Sequence, residues 1–263
     1  MTNGELDGLR SWFQRLVQTY ASDVGRLPPL LQLKVDHSER VAHDSQSLAQ
    51  EMGWNSSDVH VAEATGWLHD VGRFSQFAEF GTFSDRRSVD HGQRGWKVLK
   101  ESNVLANLDG KEKDAILTSV RYHNARTIPD HTGSRVNAYL KLVRDADKLD
   151  IFRIVHDSVQ RDGFQELPDM LPQVQLNGPL SPVLVEELET RRCASLEHVR
   201  SLSDFLLMQL SWVYDINYSA TFNRIVQRDI VSNIAGELLG ESRGVRGMVQ
   251  AAEGFVREHA CRC

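Results

Sequence analysis

A histidine and an aspartate stand side by side at the end of an apolar run in Gly66-Trp67-Leu68-His69-Asp70-Val71-Gly72-Arg73-Phe74, and Gly72 follows closely enough to let the chain turn. Both are good metal ligands, so the pair constrains the fold to bring further ligands to one point. The residues that could converge there are His37 upstream and His91, His123 and Asp147 downstream. Imidazole and carboxylate together suit borderline divalent metals such as zinc, iron, manganese or nickel. Six such groups suffice for two ions.

Ligands spread over this much chain are readily delivered by facing helices, whose side chains project into a common interior. The apolar pattern predicts such helices. Leu6, Leu9, Trp12, Phe13, Leu16, Val17 and Tyr20 follow i, i+3, i+4, i+7 spacing over residues 5–22. Pro28 and Pro29 interrupt, and a second helix is expected from Val35 to Met52, with His37 in its first turn and His43 turned to solvent. Ser56 or Ser57 is expected to cap a third helix, whose small residues Ala62, Ala64 and Gly66 permit close packing and which delivers His69 and Asp70 at its end. Residues 75–90 read as a structured loop, with Phe74, Phe77, Phe80 and Phe83 tucking it onto the core. A short helix is expected from Asp90 or His91 to Glu101. Asp109 and Glu112 resemble a capping box for a helix ending near His123, and a longer helix over 135–161 carries Asp147.

Beyond Gly163 the stretch from Leu167 to Pro182 holds four prolines, which excludes one continuous helix or a central strand. Further helices are expected at about 182–200, 203–216 and 219–239. Leu202, Phe205, Leu206, Met208, Leu210, Trp212, Val213 and Tyr214 are apolar nearly all round, which predicts deep burial, with a homodimer interface as the alternative use of that surface. The expected fold class is all-α. Its expected parts are an N-terminal helical extension over 1–30, a metal-binding core over 31–162, and a helical region over 163–263 packed on the core within one domain.

A chain of 263 residues can bury a sizeable core without staples. Its formal charge of −6 argues against general nucleic-acid binding and leaves a small anionic molecule as the expected partner. Cys193, Cys261 and Cys263 suggest no disulfide framework, and the Cys261-Arg262-Cys263 tail reads as a frayed end. The opening residues lack the basic end and apolar core of a signal peptide and no apolar stretch reaches membrane-spanning length, so a cytoplasmic location away from membranes is expected.

The order His37, His69-Asp70, Asp147, the last within Val143-Arg144-Asp145-Ala146-Asp147-Lys148-Leu149-Asp150, resembles the HD superfamily of metal-dependent phosphohydrolases. His91 in Asp90-His91-Gly92 and His123 in Arg121-Tyr122-His123-Asn124 look like second-metal ligands of the binuclear branches. The resemblance covers about residues 30 to 160 and implies an HD-type helical bundle holding one or two divalent ions of Mn, Fe, Ni, Co, Zn or Mg. Asp70 would bridge, and hydroxide generated at the cations would attack a small phosphoester, a nucleotide or related phosphate. Arg73 and Lys148 are the foremost candidates for phosphate contact and for a part in catalysis, followed by Arg86, Arg87, Arg94 and Arg126. His60, His131, His156, His198 and His259 read as ordinary histidines, with His131 the foremost exception. The Gly-Tyr-Pro signature and the paired histidine of cyclic-dinucleotide phosphodiesterases are missing, since Asn124 follows His123. The ligand order resembles equally the diiron HD-domain oxygenases, which makes oxidation of a polar small molecule the alternative chemistry. A non-catalytic signalling module is the third reading.

Overall fold

The computed structural model describes residues 1–130, 132–171, 173–191, 193–238 and 243–260. Thirteen α-helices are described: α1 (Asn3–Gln18), α2 (Pro29–Glu51), α3 (Ser56–Leu68), α4 (Val71–Phe80), α5 (His91–Ser102), α6 (Gly110–Tyr122), α7 (Ser134–Asp162), α8 (Leu167–Met170), α9 (Pro182–Arg191), α10 (Leu202–Ser211), α11 (Ser219–Gln227), α12 (Ile230–Glu237) and α13 (Arg243–Ala260). Among the described residues the only extended pairing is an isolated bridge between Gln175 and Ser201. The all-α expectation holds. The chain divides into two compact units, Met1–Asp147 and Lys148–Cys263. The division falls inside α7 rather than after residue 162, and α1 belongs to the first unit instead of standing as an extension.

In the first unit, Leu6, Leu9, Phe13 and Val17 of α1 are buried, and Phe13 packs against Trp67 and Phe74 with centroids 5.3 and 5.7 Å away. Glu63 on α3 is 4% exposed and ties three helices together. It accepts from the Arg10 guanidinium of α1 and from Gln46 of α2 at 2.7 Å. Helix α2 starts at Pro29, six residues before the expected Val35, because Pro28 and Pro29 open the helix instead of delaying it. His37 therefore lies two turns into α2 rather than in its first. The cap of α3 is Asn55, whose side chain accepts from the Asp58 amide, rather than Ser56 or Ser57.

Three glycines set the distances between helices. A Cβ on Gly66 would lie 2.5 Å from Ala42 Cα, so α2 and α3 touch there backbone to backbone. Gly72 sits inside α4, where a Cβ would meet the His91 carbonyl at 2.2 Å, so its service is close approach of α5 and not a turn. A Cβ on Gly92 would meet Asn124 Oδ1 at 2.5 Å and the Arg121 carbonyl at 2.8 Å, where α5 crosses α6. The expected loop over 75–90 is half helix. α4 runs to Phe80 and ends on left-handed Gly81, and a 3-10 turn at Asp85–Arg87 follows. Asp109 caps α6, but Glu112 does not complete a capping box. It pairs with the Met1 amine and accepts from Ser57 at 3.0 Å.

In the second unit, α10 opens with a capping box of Ser201 and Asp204, and buried Asp204 also accepts from the Ser181 amide at 2.7 Å. Leu206, Leu207, Met208, Leu210 and Val213 are buried, as an all-round apolar surface requires. The helix expected over 219–239 is two, because Asp229 takes a left-handed φ of 51° between α11 and α12. The one expected over 182–200 stops at Arg191. Helix α13 has no counterpart in the sequence-based expectation. Gly244, Gly247 and Gly254 lower its propensity, yet Val245, Ala252 and Val256 are buried.

Gly66→Ala should lower stability by about 3 kcal/mol, because backbone at Ala42 has no low-cost route away from the added methyl. Gly8→Ala, on α1 with open space around it, should leave stability unchanged or raise it by about 1 kcal/mol. Urea denaturation of the two variants beside the parent chain measures both.

Candidate metal centre

The site is built at helix junctions. His69 is the C-cap of α3 and Asp70, the next residue, precedes α4. His91 is the first residue of α5, His123 the C-cap of α6, and His37 and Asp147 come from within α2 and α7. His37, His69, Asp70, His91 and His123 are each 5% exposed or less, whereas the Asp147 side chain keeps 19%.

The six residues meet in two groups that share Asp70. His37 Nε2 lies 3.1 Å from His69 Nε2 and 3.1 Å from Asp147 Oδ1, and both imidazoles face Asp70 Oδ2 at 3.7 and 3.8 Å. On the other side, His91 Nε2 and His123 Nε2 are 3.0 Å apart and face Asp70 Oδ1 at 3.5 and 3.6 Å. Each oxygen of one carboxylate thus addresses one pair of imidazoles. Within each of the sets His37–His69–Asp70, His69–His123–Asp147 and Asp70–His91–His123, the donor atoms lie within 4.8 Å of one another.

Hydrogen bonds on the far side of the rings decide which nitrogen is available. His69 Nδ1 donates to the Gly66 carbonyl at 2.7 Å and His123 Nδ1 to the Val120 carbonyl at 2.8 Å, and a carbonyl can only accept. Each neutral ring therefore turns an Nε2 lone pair inward. His91 Nδ1 is 2.7 Å from Asp85 Oδ2, which fixes that ring in the same sense. The lone pairs of His91 and His123, 3.0 Å apart, repel unless a proton or a cation lies between them, and His69 turns its own toward His37 Nε2 at 3.1 Å. Asp70 Oδ1 is buried without a hydrogen-bond donor. Nitrogen pairs aimed at each other around an orphaned carboxylate oxygen fit divalent cations.

The charge balance agrees with ionised carboxylates and a neutral His91 ring. Burial works against ionising Asp70, but Lys34, His69, His123 and Arg73 outweigh it and hold the group well below the usual carboxylate range. Burial is likewise overcome at Asp147 by His37 and His69, which lie 3.1 and 3.7 Å from its Oδ1. Burial and the nearby Arg73 charge push His91 down to about 4. His69 is raised: burial lowers it, and the Asp70 and Asp147 charges prevail.

Four residues that the motif did not indicate complete the site. Lys34 Nζ lies 2.8 Å from Asp70 Oδ2. It sits three residues before His37 on the same helix, and that i, i+3 spacing was the signal available in the sequence. Asp85 holds His91, Asn124 reaches Asp85 Oδ2 at 3.3 Å, and fully buried Gln76 donates to Asp85, Ser88 and Val89, each at 2.9 Å. Asp85 lies on the 81–90 connection, which no spacing rule links to the ligands, and Gln76 of α4 and Asn124, next to His123, join the site through it.

The expected phosphate contacts separate. Arg73 stands beside the site, with Nε 3.5 Å from Asp70 Oδ1, while its Nη1 serves Gln76, Asp85 and the Phe83 carbonyl. Lys34 and Arg73 both stand 5.7 Å from the Phe83 ring centroid, and that ring also contacts Phe77 at 5.0 Å. Phe74 is core and Phe80 is 40% exposed. Arg94 is held away from the ligand groups by Ser75 and Glu79 at 2.6 and 2.5 Å. Arg86, Arg87 and Arg126 are exposed, and Lys148 pairs with Asp215 at 2.8 Å inside the second unit. His43 is exposed as expected. His60 meets the Met1 carbonyl at 3.1 Å, His198 pairs with Glu187 at 3.0 Å, and His259 meets the Phe255 carbonyl at 2.8 Å. His131 and the Cys261 to Cys263 tail lie outside the described residues, and Cys193 is exposed.

The family model of the HD domain matches residues 35–151, a span that contains all six converging residues. The chain carries an HD domain. Its helical architecture is that of the family, and its His/Asp cluster is compatible with divalent metal. Comparison with curated proteins gave no match, and comparison with solved structures gave none. Among the described residues no helix is long and apolar enough to cross a membrane.

Asp85→Asn should weaken divalent-metal binding at the His91–His123 group by about 10–100-fold, because the imidazole loses the partner that orients it and raises its basicity. Titration of the chelated chain with Mn or Zn, followed calorimetrically, measures the change.

Proposed function

We propose that the HD domain of this chain is a metal-dependent phosphohydrolase acting on a small phosphoester, a nucleotide or related phosphate. The observation that carries this reading is the Asp70 carboxylate, one oxygen toward His37 and His69 and the other toward His91 and His123. Such an arrangement suits two cations sharing one carboxylate, with His37, His69, Asp70 and Asp147 on one side and Asp70, His91 and His123 on the other. Two cations held there would bring a shared water toward deprotonation near neutral pH and neutralise phosphate oxygens.

The protein's own groups do the rest. The Nδ1 hydrogen bonds to Gly66, Val120 and Asp85 keep the imidazoles in register before substrate arrives. Lys34, 13% exposed at its side chain, is the cation we assign to substrate phosphate, since its ammonium can turn from Asp70 to an entering anion. Arg73 is assigned to positioning, because its guanidinium is committed to Gln76, Phe83 and Asp85, and through Asp85 it steadies His91. Phe83, against both cations, is the surface on which the organic part of a substrate would rest. A formal charge of −6 supports a small anion over a nucleic-acid backbone as partner, and a cytoplasmic location goes with this reading.

Elemental analysis of protein purified without added metal should find two ions per chain, falling to one in His91→Ala and His123→Ala. Asp70→Ala should release no phosphate from any nucleotide or sugar-phosphate panel that the parent hydrolyses. Parent protein that releases none with Mn, Fe, Co, Ni, Zn or Mg defeats the proposal. Iron content with substrate-dependent oxygen uptake would assign the oxygenase chemistry instead.

Lys34→Met should leave metal content intact and reduce kcat/KM by about 10–100-fold, the worth of one charged hydrogen bond. An unchanged kcat/KM would remove Lys34 from the substrate site.

A further inference from the structure

The second unit contains a cavity of about 410 Å³ that the metal chemistry does not use. Its walls are the buried side chains of Phe152 and Val155 on α7, Leu206 on α10, and Ile230 and Ile234 on α12. A space of this size with such walls is in the range that holds a small organic molecule. One lining residue is out of keeping with them. Gln209 is 1% exposed, and neither its Nε2 nor its Oε1 has a hydrogen-bond partner.

A buried amide with both ends unsatisfied destabilises the fold more than leucine or methionine in the same place would. Its neighbour Ser211, also buried, is satisfied through the Met208 carbonyl at 2.6 Å, so burial on this helix does not by itself leave polar groups without partners. The carboxamide of Gln209 displays a donor and an acceptor side by side. The group that satisfies both at once is another edge with an adjacent acceptor and donor, as in a lactam, a primary amide or the ring edge of a nucleobase. Arg153, His156, Arg228 and Glu237 are also in the lining, and Arg153 is already paired with Asp150 and Asp157, each at 3.3 Å, so the polar margin suits a neutral molecule.

We propose that this cavity is a small-molecule site, separate in its residues from the metal centre, for a planar heterocycle with an apolar face and a lactam-type edge read by Gln209. The apolar walls supply most of the binding free energy and the amide pair supplies selection. An analogue methylated at the lactam nitrogen offers no donor to Gln209 Oε1 and sets a methyl group against it, so it is rejected.

The test uses the full chain, treated with chelator so that the metal centre cannot hold the probes. Binding of uracil, thymine, hypoxanthine and their nucleosides is measured by calorimetry and thermal shift beside 1,3-dimethyluracil. The expected result is saturable binding by at least one lactam compound and a loss of at least tenfold for its N-methylated analogue. Gln209→Leu should lose the same factor while melting at or above the parent's temperature, since an unsatisfied amide has been removed. Ile234→Trp, which fills the cavity, should abolish binding, and its melting temperature shows whether it has folded. Absence of binding by every lactam compound at millimolar concentration overturns the proposal, as does binding that is indifferent to Gln209→Leu or to N-methylation. These outcomes are independent of phosphate release, so this site and the proposed phosphohydrolase stand or fall separately.

Discussion

The Asp70 carboxylate is the constraint around which the first unit is built. A buried, ionised carboxylate is costly unless cations or strong donors surround it. Here Lys34, Arg73 and four imidazoles surround it within one small volume. The two oxygens divide the histidines into two pairs, and that division is what makes two cation positions with one shared ligand a natural use of the geometry. Removing the carboxylate would leave four inward imidazoles and two cationic side chains with nothing to organise them.

Holding those groups together is a packing problem solved by glycine and by helix ends. Gly66 brings α3 onto the backbone of α2, which sets His69 beside His37. Gly72 and Gly92 do the same for α4 with α5 and for α5 with α6, which sets His91 beside His123. Four of the six converging residues stand at helix termini, where unpaired carbonyls are at hand. Gly66 and Val120 use theirs to fix the tautomers of His69 and His123. The local fold and the protonation state of the site are therefore one arrangement.

Around that centre, the connection from Gly81 to Asp90 shows how a short irregular segment contributes without belonging to any helix face. Gln76 pins it with three hydrogen bonds, and in return it presents Asp85 to His91 and Phe83 to the two cations. Its conformation depends on a buried glutamine in the preceding helix. The expectation of an unbroken loop over 75–90 missed this because α4 carries Phe74 and Gln76 inward on a period too short to stand out.

The sequence by itself determined the class of fold and the six residues that converge, because helical periodicity is local and because histidines and aspartates in a set order before and after His69-Asp70 are visible as residue types. It also placed α5, α6 and α7 to within a residue or two, where Asp90, Asp109 and continuous apolar spacing mark the ends. Only the tertiary structure decided that each Asp70 oxygen serves its own histidine pair, that Lys34 and Asp85 complete the site, and that Arg94 and Lys148 are held by Glu79 and Asp215. It likewise decided that α13 forms despite three glycines, and that Gln209 lines an apolar cavity with no partner. The physical reason is common to all of these. A long side chain's partner depends on which helices cross and how closely, and that closeness is set by pairs such as Gly66 with Ala42, whose contact no spacing along the chain reveals.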